Sequence, residues 1–233
     1  MNFEVLIPVL NEKKILEFSI EWFKKNNIPV RYVFDTKGDK DVLKILESNS
    51  QKYSTYKNEK YYWENSAEEF CSSSNTNWNI VVSIDEIIDI DVVNFCDNYL
   101  SSKENKTIAF DRKQLDYDGH KIYECVSELF SPRKHAQLRF FDRTAVKWNK
   151  KIHSPGFEIE QYFHAPDNLN IYHLDFIFCD AQERLTKSAR YDSYGQINQN
   201  REQYEIDKKK LKWIEIENST FEKKLTTLLK MVK

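Results

Sequence analysis

Along the first third of the chain, short apolar runs alternate with stretches in which apolar positions return every three to four residues. This is the pattern of βαβ units feeding a parallel sheet. Phe3 to Val9 reads as a buried strand. Asn11 and Glu12 then open a helix whose apolar positions Leu16, Ile20 and Phe23, flanked by Ile15, Phe18 and Trp22, follow the 3.6-residue period. Asn26 and Asn27 before Pro29 end it. Val30 to Phe34 predicts a second strand, closed by Asp35-Thr36-Lys37-Gly38-Asp39, with a helix from Lys40 to Ser48 behind it. A short strand around Tyr53 to Tyr56 precedes a helix from Trp63 to Cys71 and a polar loop from Ser72 to Asn77. The run NIVVS, Asn79 to Ser83, is a further buried strand that stops at Ile84-Asp85-Glu86.

Beyond Glu86 the regularity degrades. A helix from Val92 to Leu100 and short strands near Thr107 to Phe110, Lys121 to Val126 and Gln137 to Phe141 predict a more antiparallel, loop-rich second half. Ile171 to Asp175 reads as the last strand. After Asp180 the sequence turns helical and charged, and Phe221, Leu225, Leu228, Leu229 and Val232 form an apolar stripe at helical spacing. Lys208 to Lys233 holds 8 Lys against 3 Glu, so this helix reads as a solvated face that could also lie on an anionic membrane.

Composition narrows the chemistry. Gly numbers only 4 among 233 residues, and neither GxGxxG nor GxxxxGK[ST] occurs, which excludes a dinucleotide-binding glycine loop and a P-loop ATPase. With 35 Lys+Arg against 37 Asp+Glu, no basic field invites nucleic acid. Cys71, Cys96, Cys125 and Cys179 form no CxxC pair and read as reduced thiols of a cytoplasmic protein. The start MNFEVLIPVLNEKK lacks a basic n-region, and no window approaches the ~20 apolar residues of a membrane span, so neither a signal peptide nor a transmembrane anchor is expected.

Ligands of an open parallel sheet bind at the carboxyl ends of its strands. Three predicted strands end in acids or amides: Asn11 and Glu12 after the first, Asp35 after the second, Asp85 and Glu86 after the fourth. Acids at this edge bind divalent metals, ribose hydroxyls or base nitrogens, and take phosphate only with a cation between.

The run VLIPVLNEKKILEFSIEWFKKNNIPVRYVFDTKGDKDVLKIL resembles the opening of family-two glycosyltransferases of the GT-A fold. VVSIDEI is similar to their DxD stretch, QLRFFDRTAVKWNKKIHSPG resembles the R-x-F-R…W-x-G-x-x-H segment of the lipopolysaccharide-core-type branch, and YHLDF resembles the closing strand, which often carries a His. The likeness runs from Phe3 to Asp175, and the order of its motifs is more specific than any one of them. It implies an α/β, GT-A-like (Rossmann-like) fold. A mostly parallel central sheet would be flanked by helices, with a mixed antiparallel second half and C-terminal helices. Residues 1–180 would form the glycosyltransferase domain, and 181–233 a helical extension packed on it.

The implied reaction moves a sugar from a UDP- or GDP-linked donor to a glycan or lipid-linked acceptor, with inversion and with Mn²⁺ or Mg²⁺. Asn11, Glu12, Asp35, Arg139 and His153 would hold the donor nucleotide diphosphate. Asp85, Glu86 and His173 would hold the metal, which neutralises charge on the leaving diphosphate. Two departures stand out: Ser83 replaces the first acid of DxD, and Ser154 the acid after the matching His. The catalytic base is therefore sought among Glu158, Glu160, Asp116 and Asp118, with Glu158 favoured and Asp116 next. A sugar nucleotidyltransferase, or a GT-A-fold carbohydrate-binding protein that has lost its chemistry, are the alternatives.

Overall fold

A computed structural model of the chain describes residues 2–58, 62–100, 107–131, 136–151, 155–158, 161–193, 201–217 and 219–232. Its first part is built as the periodicity requires. Strand β1 (Phe3–Val9) leads to helix α1 (Lys13–Lys25), β2 (Val30–Asp35), α2 (Lys40–Ser48) and β3 (Tyr53–Tyr56). A 3₁₀ turn (Trp63–Ser66) and α3 (Ala67–Ser72) return the chain to β4 (Trp78–Val81). These four strands lie in the parallel order β3-β2-β1-β4, with Val5 opposite Val30 on one side and Ile80 on the other.

The remaining strands are β5 (Glu86–Ile88), β6 (Thr107–Tyr117), β7 (Ile122–Cys125), β8 (Gln137–Asp142), β9 (Phe163–His164), β10 (Asn170–His173) and β11 (Trp213–Glu215). The helices after α3 are α4 (Ile90–Tyr99), α5 (Asp175–Phe178), α6 (Ala181–Ser193), α7 (Arg201–Glu205) and α8 (Thr220–Val232). β8 joins β4 antiparallel and carries the sheet on through β6 and β7 to β11. β10 lies parallel to β6 and antiparallel to β5. The result is a mostly parallel core with a mixed second half.

Alternation along β1 separates two hydrophobic layers. Val5, Ile7 and Val9 face a large cluster with Leu16, Trp22, Val42, Val92, Leu225 and Leu229, so α1, α2, α4 and α8 cover that side. Leu6 faces Val33, Phe70, Val81, Phe141 and Phe157 on the other. The indole N–H of Trp22 donates to Ile88 O at 2.9 Å, tying α1 to β5.

Two expectations are corrected. The segment 171–175 does not form the last strand: β10 ends at His173, Asp175 opens α5, and β11 pairs with β7 antiparallel. β6 extends to Tyr117 rather than stopping at Phe110. The apolar stripe of α8 is buried in the core, Leu225, Leu228 and Leu229 completely, so it is engaged in packing. Among the described residues no helix is long and apolar enough to cross a membrane, and all four cysteines are free.

Candidate active site

The carboxyl ends of β1 and β2 are braced by their own polar residues. Glu12 Oε2 accepts from the N–H groups of Leu10 and Asn11 at 2.9 and 2.8 Å, and Asn11 Oδ1 accepts from Asp39 N at 2.8 Å. Asp35 is buried, and its Oδ1 accepts from Lys37 N at 3.0 Å and from Asn58 N at 3.5 Å. It does not cap α2; that role falls to Asp39, whose Oδ1 accepts from Asp41 N at 2.8 Å. Gly38 closes the turn because a Cβ there would run into Leu10 O. Asn11, Glu12 and Asp35 thus stand together at one end of the sheet, each committed to loop geometry.

A second cluster lies beyond β4. Asp85 follows the strand, His173 ends β10 and Asp175 opens α5, and one ligand atom from each lies within 4.8 Å of the other two. His173 Nδ1 lies 2.6 Å from Gln114 Oε1 on β6, and Nε2 lies 3.2 Å from Asp85 Oδ2. An Nδ1–H donated to the amide fixes the ring and turns Nε2 toward the carboxylates, the usual arrangement of a ligand histidine. Lys187, on α6, places its ammonium 2.6 Å from Asp85 Oδ2 and 2.9 Å from Asp175 Oδ1. Burial alone would raise both carboxyl pKa values. Lys187 first, and His173 after it, outweigh burial, holding Asp85 well below the usual carboxylate range and Asp175 below it.

Glu86 points elsewhere. Its side chain is fully buried and takes Arg139 at 2.8 Å, Arg112 at 3.6 Å and the Ser83 N–H at 3.0 Å. Burial works to raise its pKa, and the two guanidinium groups outweigh burial and lower it. Arg139 also donates to Ser83 Oγ at 3.2 Å, so the serine that replaces an acid serves the Arg139–Glu86 pair. The geometry therefore groups Asp175, not Glu86, with Asp85 and His173.

The expected bases are each held in an ion pair. Glu158 pairs with Lys147 at 2.8 Å, and Asp116, on the far half of β6, with Lys208 at 2.9 Å. His153, with Ser154 and Glu160, lies outside the described residues. A carboxylate that the sequence did not single out is Glu64, in the 3₁₀ turn. Its Oε2 is shielded from solvent and has no hydrogen-bond partner among the described residues, and burial pushes its pKa up to about 7 against the partial opposition of a backbone hydrogen bond and of Arg139. Asp175 carried a sequence signal, two positions after His173 in YHLDF; Lys187 carried none.

No family model and no curated protein matches the sequence. Solved structures do match. S. aureus TarS residues 1–349 superimposes with a TM-score of 0.51 at 12% identity, over 88% of this chain and 69% of that one. The same fragment in complex with UDP gives 0.50 at 11% identity, over 88% and 70%. The fold is GT-A-like. The longer TarS structure gives 0.50 at 12% identity, and this chain spans 42% of its length. At such identity the likeness speaks for the fold alone.

The donor set of the cluster suits a divalent ion. Two carboxylates and an imidazole, with Asp85 half-buried and His173 and Asp175 buried, converge as a mixed oxygen and nitrogen donor set.

Proposed function

We propose that the protein transfers a sugar from a nucleotide-diphosphate donor to a glycan or lipid-linked acceptor, with a divalent cation at Asp85, His173 and Asp175. The observation that carries this reading is the convergence of those three side chains beside the strand ends of a GT-A-like sheet. When bound, the cation supplies positive charge to a leaving diphosphate. Gln114 orients His173, and the Arg139–Glu86 pair, with both Ser83 groups, fixes the loop from which Asp85 projects. Asp35, buried at the end of β2 beside the Asn11 turn, would accept from a nucleobase N–H. Glu158 is retained as the proposed base. It follows Phe157, which bridges to Trp148, and the neighbouring Gly156 packs against Glu64 and Ala67.

The test is a thermal-shift titration of UDP- and GDP-sugars with and without Mn²⁺, followed by donor hydrolysis. The expected result is Mn²⁺-dependent stabilisation by a diphosphate sugar that is lost in Asp85→Ala. Stabilisation by a nucleoside triphosphate alone would move the reading to nucleotidyl transfer, and stabilisation without turnover to a binding protein.

A further inference from the structure

We propose that Lys187 is an exchangeable internal cation, holding the Asp85–Asp175 carboxylates until a divalent ion takes its place and releases α6. This rests on the reading of Asp85, His173 and Asp175 as a cation site. The Lys187 ammonium bridges two of the three candidate ligands, 2.6 Å from Asp85 Oδ2 and 2.9 Å from Asp175 Oδ1. A divalent ion bound at about 2.2 Å from Asp85 Oδ2 would lie within roughly 5 Å of the ammonium, where like charges repel.

The lever for such an exchange is visible in α6. Its first turn is anchored: Asp180 and Glu183 cap each other's N–H groups at 2.8 Å, and Arg184 donates to Cys179 O at 3.0 Å with its guanidinium 4.6 Å over the Phe176 ring. One turn later, Lys187 makes the link to Asp85 and Asp175. A cleft lined by Phe176, Arg184, Tyr204 and Lys209 runs beside the helix and gives it room to move. The Tyr204 ring lies 5.8 Å from the ammonium and offers it a nearby resting place once it is displaced.

The experiment measures Mn²⁺ binding by isothermal titration to the full chain and to Lys187→Met, Lys187→Arg and Asp85→Ala, with hydrogen exchange of residues 181–193 followed on the same samples. Lys187→Met should bind Mn²⁺ at least tenfold more tightly than the natural chain, and Lys187→Arg, which keeps the charge, should stay near the natural value. Mn²⁺ should accelerate exchange in α6 of the natural chain, while Lys187→Met should exchange fast with or without it. Equal or weaker binding by Lys187→Met, with binding lost in Asp85→Ala, overturns the exchange and leaves the cation site standing. No Mn²⁺ binding by either the natural chain or Lys187→Met overturns the site and the exchange together. Binding of UDP in EDTA that disappears in Lys187→Met also overturns the exchange, because the ammonium would then be the permanent cation.

Discussion

Arg139→Met tests the electrostatics on which the site loop rests. Glu86 has no exposed side-chain surface, Arg139 is 8% exposed, and they meet at 2.8 Å. Removing one partner of a buried pair strands the other charge, at a typical cost of about 3–5 kcal/mol. Arg112, at 3.6 Å, and the Ser83 N–H remain, which places the expected loss near the lower end, ~3 kcal/mol. With a urea m-value of ~3 kcal/mol/M for a chain of this size, the unfolding midpoint should fall by about 1 M. The pH dependence gives a second reading. In the natural chain the Glu86 pKa is depressed, so its contribution is present above the unfolded value and is lost as pH falls through the folded one. In Arg139→Met burial prevails and raises that pKa, so Glu86 can protonate and the deficit should shrink as the solution is acidified from neutral to about pH 5. Adding Glu86→Gln to Arg139→Met should recover at least half of the loss. A deficit under ~1 kcal/mol at neutral pH, or a double variant no more stable than the single one, would refute the argument.

Glu64→Gln should reveal a different titration. The folded pKa of about 7 lies above the usual 4.5, so the natural chain loses up to ~3 kcal/mol as pH rises between those values. The variant should be similar at about pH 5 and more stable at about pH 8 by urea unfolding, a gap that must widen with pH. Gly156 has φ +81°, and a Cβ there would collide with the Ala67 Cβ, so Gly156→Ala should cost at least ~1–2 kcal/mol in thermal unfolding. Leu228→Ala should cost ~2–5 kcal/mol and Lys223→Ala, on the exposed face of the same helix, under ~0.5. Equal losses from the two would contradict the docking of α8.

The order of elements from β1 to β4, and α4 beyond them, was legible because each is amphipathic or fully apolar over a run long enough to show its period. β6 was legible only for its first four residues. From Asp111 onward it carries Asp111, Arg112, Lys113, Gln114 and Asp116, which contact His164, Glu86, Glu124, His173 and Lys208. The polar pairing that places side chains around the site is thus what hid the strand from a hydrophobic pattern. β5 and β11 escaped because three residues are too few for a period. Asp85 and His173 were recognisable from strand ends and motif order. Asp175 was read as part of a strand, although the chain turns into α5 there. Lys187 has no local signal at all, since its meaning comes from a contact 102 positions away.

β6 also has a kinetic meaning. It pairs with β7, β8, β9 and β10, so one strand belongs to the main sheet at its start and to the second half at its end. Ser83 meets Arg139 across 56 positions, Gln114 meets His173 across 59, and Asp85 meets Lys187 across 102. Each of these closes a long loop before any stabilisation returns, which slows folding and concentrates the gain in a late step. The cation cluster is therefore assembled only when both halves have docked on β6. A nascent chain that has made β1 to β4 holds the Asn11–Asp35 edge but not the cluster of Asp85, His173 and Asp175, and the proposed activity should return in refolding with the slowest phase.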